Sequence, residues 1–466
     1  VTHFDVAVIG TGSGNTFLDE RYDGLKVALF EEGVFGGTCL NVGCIPTKMF
    51  VYASDVANAV RSAHRYGVDA HIDGVRWQDV VSRVFGRIDP IADGGRRYRE
   101  QDCANITVFR SHAEFTGPRT ITTHATEASP AQTITADQVV IATGSRPIVP
   151  DVVRDAGVPY FTNDDVMRIP ELPDRLIVLG SGYIASEFAH VFSSLGSDVS
   201  VIGRSGRMLR HLDDELSAHF TELAKAKWDC HLDSGVRAVR SGSDGGVEIE
   251  LENGTVVAGD ALLVAVGRAP NSDLIGAEAA GIQVREDGLI VVDEFQRTTA
   301  DGVFALGDVS SAHQLKHVAN HEARVVGHNL IAVRAAGGSD PELRASDHRF
   351  VPAAVFTEPQ IAAVGLTEAQ ARAQYPRITV KVQNYSDVAY GWAMEDTEGI
   401  CKIIADQDTG QILGAHILGA QASILIQPLI QAMSFGLSAT DMAKGQYWIH
   451  PALTEVVENA LLGLEL

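Results

Sequence analysis

The pattern that most restricts the fold is a phrase that occurs twice: an apolar run, a glycine turn, and a second apolar run. Phe4-Asp5-Val6-Ala7-Val8-Ile9 stops at Gly10-Thr11-Gly12-Ser13-Gly14-Asn15, and Lys26-Val27-Ala28-Leu29-Phe30 follows, ending at Glu31 and Glu32. About 170 residues later Arg175-Leu176-Ile177-Val178-Leu179 stops at Gly180-Ser181-Gly182. A helical stretch then runs from Tyr183 to about Leu195, and Val199-Ser200-Val201-Ile202 closes the unit. Short β-branched runs suit strands buried on both faces, and strand–turn–helix–strand units build parallel α/β sheets. The sequence therefore predicts two such units. Between them, Phe85 to Ile141 reads as irregular strands and turns, closing on Val139-Val140-Ile141-Ala142-Thr143-Gly144. A matching phrase, Leu262 to Gly267, closes the second unit.

Each glycine turn has the form that takes a dinucleotide. The first glycine allows a tight bend, and the second lets backbone N–H groups approach a pyrophosphate. Glu31, 21 residues after Gly10, is placed to accept from a ribose hydroxyl. The third glycine position holds Asn15, which departs from the close helix–strand packing the pattern implies. In the second unit Ala185 fills that position acceptably, and no acid ends the following strand. Arg204 and Arg210 follow instead, and arginine suits a 2′-phosphate, so NADPH is favoured over NADH. Two nucleotide sites suggest hydride passing between cofactors. Gly302-Val303-Phe304-Ala305-Leu306-Gly307-Asp308 supports a flavin at the first, with Asp308 bonding a ribityl hydroxyl.

Composition sets outer limits. The 466 residues carry 37 Lys+Arg against 60 Asp+Glu, a net charge of −23. That excess argues against nucleic acid or anionic lipid as a main partner. The length suits about three domains. Five cysteines cannot form a secreted-type disulfide framework. No signal-like N-region stands out and no apolar run nears the ~18 residues of a membrane span, so a cytoplasmic location is expected.

Two cysteines carry the most specific chemistry. In Gly36-Gly37-Thr38-Cys39-Leu40-Asn41-Val42-Gly43-Cys44-Ile45-Pro46-Thr47-Lys48, the four residues between Cys39 and Cys44 allow a disulfide if the chain bends at Gly43. Pro46 suits a first helical turn, so Cys44 stands at a helix N-terminus that favours thiolate. A cycling dithiol fits better than a zinc site, because Cys103, Cys230 and Cys401 are scattered singly. His317 and His321 have no third ligand near them in sequence, so no metal is expected.

The Gly36–Lys48 stretch resembles the redox-active disulfide of the class I pyridine nucleotide–disulfide oxidoreductases, and the resemblance extends over essentially the whole chain. It implies two Rossmann-like dinucleotide-binding domains plus a C-terminal α+β dimerisation domain. Cys39 would attack the substrate disulfide, and Cys44 would lie against the flavin as the charge-transfer thiolate. Lys48 matches the lysine near flavin N5, Glu187 its carboxylate partner, and Tyr183 the ring that shields the flavin. His450-Pro451-Ala452-Leu453-Thr454-Glu455 matches the family's C-terminal His-Pro-x-x-x-Glu motif. His450 would serve the interchange thiol as base and acid, oriented by Glu455. In the family this histidine acts across a homodimer interface. The implied FAD contacts are Gly10, Gly12, Glu31, Thr38, Lys48, Ala113, Thr143, Gly144, Gly307 and Asp308. The implied NADPH contacts are Gly180, Gly182, Tyr183, Ala185, Glu187, Arg204, Arg210 and Gly267.

Domain boundaries follow: 1–150 for FAD, 151–268 for NADPH, 269–341 completing the FAD domain, and 342–466 for dimerisation. The resemblance implies a small-molecule disulfide as substrate. Residues 10–22, 388–396 and 445–451 are similar to the branch that reduces the disulfide of a cysteinyl glucosaminyl-inositol thiol. Tyr447 and Trp448 read as dimer-interface packing before sugar stacking. The alternatives are a glutathione reductase or dihydrolipoyl dehydrogenase and, farther off, a flavoprotein scaffold of a dehydrogenase complex.

Overall fold

The computed structural model describes residues 1–127, 129–243 and 245–466. They gather into two compact units, each made of three stretches of chain. Residues 1–47, 81–148 and 267–348 form the first; 48–80, 149–266 and 349–466 form the second.

The first unit is built on a seven-stranded sheet. Ile106–Phe109, Val27–Phe30, Thr2–Ile9 and Thr133–Ile141 lie side by side and run parallel. Thr120–Thr123 and Ala113–Gly117 extend it as an antiparallel pair, and Val303–Ala305 joins parallel to Thr133–Ile141. Along Thr2–Ile9, Val6 and Val8 enter one core with Phe17, Tyr22, Val326 and Leu330. Phe4, Ala7 and Ile9 enter another with Phe115, Ile121 and Ile290. Both faces are covered, which is why the run reads as continuously apolar rather than alternating.

No α-helix follows the first glycine turn. Two short 3₁₀ turns, Ser13–Asn15 and Glu20–Tyr22, replace it. The Arg99 guanidinium donates to the Asn15 side-chain oxygen at 2.9 Å, to the Asn15 carbonyl at 3.0 Å and to the Leu18 carbonyl at 3.2 Å. Those two carbonyls would otherwise accept within a helix. Asp19 accepts from the Arg21 backbone N–H and starts a new turn. The buried Tyr22 hydroxyl donates to the Gly327 carbonyl at 2.8 Å, tying the segment to the helix Lys316–Ala336. Close packing falls to Gly14, where an added Cβ would meet the Ala142 Cβ at 2.3 Å.

The second unit has a parallel sheet in the order Asp229–His231, Asp198–Ile202, Arg175–Leu179, Ala261–Val264. This third-second-first-fourth order is the doubly wound one, with the glycine turn at the switch point. A three-stranded antiparallel sheet, 236–259, packs with it. The C-terminal part is a five-stranded antiparallel sheet, in which Gln360–Gly365, Ile412–Gly419, Ile400–Asp406 and Ile378–Asn384 are neighbours. Buried Lys402 on Ile400–Asp406 bonds Asp213 at 2.9 Å, Glu215 at 3.0 Å and Glu368 at 2.7 Å. Among the described residues, no helix is long and apolar enough to cross a membrane.

Two local expectations are corrected. Irregular strands were expected from Phe85, but the helix Trp77–Arg97 continues there, burying Val84, Ile88 and Ala92 at helical spacing. The apolar helix expected over Ile424–Phe435 is two helices, Ala422–Leu425 and Gln427–Phe435, the second with proline in its first turn.

Candidate active site

The cysteine segment forms a short helix, Gly37–Asn41, and then the start of a long one, Cys44–Ser62. Asn41 donates to the Phe35 and Gly37 carbonyls at 3.0 Å, and the Thr47 hydroxyl donates to the Gly43 carbonyl at 2.7 Å. Cys39 is half-buried, Cys44 exposed, and both are thiols. They hydrogen-bond to each other. That bond, then burial and the charge of Cys44, hold the Cys39 thiol well above its ordinary pKa, while Lys316 pulls it down. The helix N-terminus at Cys44 is a place that favours a thiolate.

Lys48 stands one turn further along that helix. Its ammonium bonds the Glu187 carboxylate at 2.6 Å and lies 4.5 Å from the centre of the Phe356 ring. The other Glu187 oxygen accepts from the Phe356 backbone N–H at 3.0 Å. Glu187 is buried, so the bonds that fix it also fix Lys48.

The first glycine turn has a cradle's geometry. Gly10 has φ +107°, and a Cβ there would lie 2.3 Å from the Ala142 carbonyl oxygen. Gly12 approaches so closely that a Cβ on Gly37 would come within 2.7 Å of its Cα. Glu31 accepts from the Thr11 backbone at 3.2 Å and from the Thr11 hydroxyl, which itself accepts from Gly36 N–H at 3.0 Å. Turn, strand end and cysteine segment, including Thr38, are thereby tied together. Ala113 is buried at the start of Ala113–Gly117. Asp308 accepts from the Ser145 hydroxyl at 2.7 Å beside Gly144, and Gly307 N–H donates to buried Glu322 at 2.7 Å. The buried Thr143 hydroxyl has no hydrogen-bond partner among the described residues. A glycine cradle, a carboxylate one strand away and an orphaned hydroxyl fit a bound dinucleotide with a ribose and a polar ring.

In the second unit Gly180 has φ +136°, and its Cβ would lie 2.2 Å from the Ala265 carbonyl oxygen. Gly182 caps the helix Tyr183–Leu195, in which Ala185 is fully buried. Arg204 and Arg210 are exposed after Asp198–Ile202. Arg207 pairs with Asp214 at 3.3 Å, but neither Arg204 nor Arg210 has an ion-pair partner among the described residues. Gly267 falls in the first unit, where its carbonyl accepts from Ile148 N–H at 3.0 Å.

His450 bonds Glu455 through Nδ1 at 2.7 Å, and the other Glu455 oxygen accepts from Ala452 N–H at 3.2 Å. The imidazole is 72% exposed, leaving Nε2 open to a reacting group. Tyr447, Ile449 and Phe435 are exposed as well.

Residues 4–323 match the family model of pyridine nucleotide-disulphide oxidoreductases, and residues 351–461 match the dimerisation domain of the same family. The chain belongs to this family. It is 58% identical to the mycothione reductase of Mycobacterium tuberculosis, over 99% of each chain. It is 34% identical to the glutathione reductase of Burkholderia cepacia, over 97% of each. The HOCl-induced flavoprotein disulfide reductase RclA from Escherichia coli superposes with a TM-score of 0.83 at 28% identity, over 98% of this chain and 99% of that one. The family membership makes the chain a flavoprotein disulfide reductase with a dimerisation domain, a small-molecule disulfide as substrate, and FAD and NADPH as cofactors.

The structure also places residues that sequence reading passed over. Lys316 donates to the Ser13 hydroxyl at 2.8 Å. His112, Glu114 and His124 bring their ligand-type atoms within 4.8 Å of one another. His112 is already bonded through both nitrogens, to Glu32 at 2.9 Å and to the Leu274 carbonyl at 2.7 Å. Cross-strand pairing of Ala113 with Thr123 creates this group, so no sequence spacing announces it.

Proposed function

We propose that this chain reduces mycothione to mycothiol with NADPH, and so maintains thiol balance. The observation that carries the substrate is the 58% identity, end to end, with a mycothione reductase. The hydrogen-bonded Cys39–Cys44 pair supports the reaction class. FAD, when bound, would supply the electron pair, drawn from NADPH, that opens the Cys39–Cys44 disulfide. Gly10, Gly12, Glu31, Thr38, Ala113, Thr143, Gly144, Gly307 and Asp308 would hold it, and Glu187 holds Lys48. Gly180, Gly182, Tyr183 and Ala185 would receive NADPH, with Arg204 and Arg210 at its 2′-phosphate.

Cys39 then attacks one sulfur of mycothione. A Cys39–substrate disulfide forms, the substrate S–S bond breaks, and the first thiol leaves with a proton from His450. The Cys44 thiolate attacks the Cys39 sulfur, restores the Cys39–Cys44 disulfide and expels the second product as a thiolate, which takes a proton from solvent. Two electrons enter and two thiols leave. His450, oriented by Glu455, serves the active site of the partner subunit in a homodimer. Its exposed ring, beside exposed Tyr447 and Ile449, supports that arrangement. We read domains at 1–150, 151–268, 269–341 and 342–466, and a cytoplasmic location, since a reducing compartment keeps such a dithiol cycling.

Mycothione, glutathione disulfide and lipoamide, each tried with NADPH and NADH, test the substrate. Preference for mycothione with NADPH is expected; faster turnover of either other disulfide overturns the assignment. Cys39→Ser and Cys44→Ser should each abolish disulfide turnover while FAD stays bound. Full turnover by either variant would sink the mechanism.

A further inference from the structure

A lysine begins the 21-residue helix Lys316–Ala336, where the helix macrodipole disfavours a cation. The preceding Leu315 offers no capping side chain, and the first turn contains no acid. Lys316 is half-buried and makes no ion pair among the described residues. Its ammonium instead donates to the Ser13 hydroxyl at 2.8 Å, in the Gly10–Asn15 turn, 303 residues away. That hydroxyl donates in turn to the Asn320 side-chain oxygen at 3.2 Å, one helical turn beyond Lys316. An uncompensated ammonium and a fixed hydroxyl thus converge on one glycine turn. Such a set is stable when an anion occupies the turn.

We propose that Lys316 is a further cofactor-binding residue, its ammonium paired with the diphosphate of FAD at the Ser13 turn. This rests on FAD as the cofactor of the first unit. Asn320 is a positioning residue, because it orients the Ser13 hydroxyl and touches no cofactor. The glycine turn alone would hold a diphosphate through backbone N–H groups; Lys316 adds a full charge. The same charge offsets part of the rise that Cys44 and burial impose on the Cys39 thiol.

The test follows FAD release from the purified holoenzyme by recovery of free-flavin fluorescence, at low and high salt. Variants are Lys316→Gln, Lys316→Arg and Ser13→Ala. Lys316→Gln should release FAD about tenfold faster at low salt, the size expected of one charge-assisted hydrogen bond. Its release should also depend less on salt than that of the unaltered protein. Lys316→Arg should restore retention, and inorganic pyrophosphate should compete with FAD for the unaltered apoprotein more strongly than for Lys316→Gln. Ser13→Ala should release FAD faster while keeping the salt dependence. If Lys316→Gln folds poorly, as judged by circular dichroism, Lys316→Arg and pyrophosphate competition with the unaltered apoprotein decide. An unchanged rate and salt dependence in Lys316→Gln, or no pyrophosphate competition, overturns the proposal. Unaltered protein that binds no FAD overturns the cofactor reading itself, which is a separate result.

Discussion

Arg204 and Arg210 show what a single side chain can decide in this molecule. Neither has a carboxylate partner among the described residues, in a chain whose net charge is −23. A guanidinium left unpaired in so acidic a protein is available for a dianionic phosphate. Arg204→Ala and Arg210→Ala should each raise the KM for NADPH by about tenfold, the loss of one charge-assisted contact, and leave the KM for NADH nearly unchanged. Steady-state kinetics with both nucleotides checks this. Equal losses for both would assign the arginines to general electrostatics. Cys39 and Cys44 illustrate the opposite case: each is a single free thiol, and the proposed chemistry comes from their pairing.

At the scale of elements, Lys402 joins the strand Ile400–Asp406 to the helices Asp214–Lys227 and Glu368–Gln374. Lys402→Met should cost about 3–5 kcal/mol, because it strands buried Asp213. The sign of the pH dependence follows from the shifts. Hydrogen bonds from Lys402 hold Glu368 below its ordinary value, and the Glu368 backbone N–H and Lys402 do the same for Asp213 against its burial. Their contribution is present above the unfolded carboxylate range and lost as pH falls through the depressed folded values. Lys402 is held above its ordinary value by these carboxylates against burial, so its contribution lasts until strongly alkaline pH. Urea unfolding should therefore show a constant gap between parent and variant at neutral pH that narrows below about pH 4. A gap independent of acid would refute the ion network. Elements also mark where sequence reading succeeds. Both glycine turns, the strand ends and the helix at Cys44 are contiguous signals and were legible. The missing helix after Asn15 was not, because Arg99, which bonds the Asn15 and Leu18 carbonyls, stands far along the chain. Lys316 and Ser13 were illegible for the same reason: contacts between distant segments leave no period in a sequence.

For the whole molecule, Phe435, Ile449 and Tyr447 are exposed side chains in the part that matches the dimerisation domain. Phe435→Glu should shift the dimer toward monomer in light scattering and lower disulfide turnover with it, while circular dichroism stays unchanged. A fully active monomer would refute the need for a partner's His450. The fold class was readable because each motif is local. The interleaving of the two units, three stretches each, was not, since it depends on which strands find each other. Val303–Ala305 pairs with Thr133–Ile141, so the first sheet is finished by a strand made long after its neighbour. During synthesis at 5–20 residues per second, that edge waits on the order of ten seconds on the ribosome. The nascent first sheet thus stays unfinished, its Thr133–Ile141 side open to mispairing, until the chain has passed Val303.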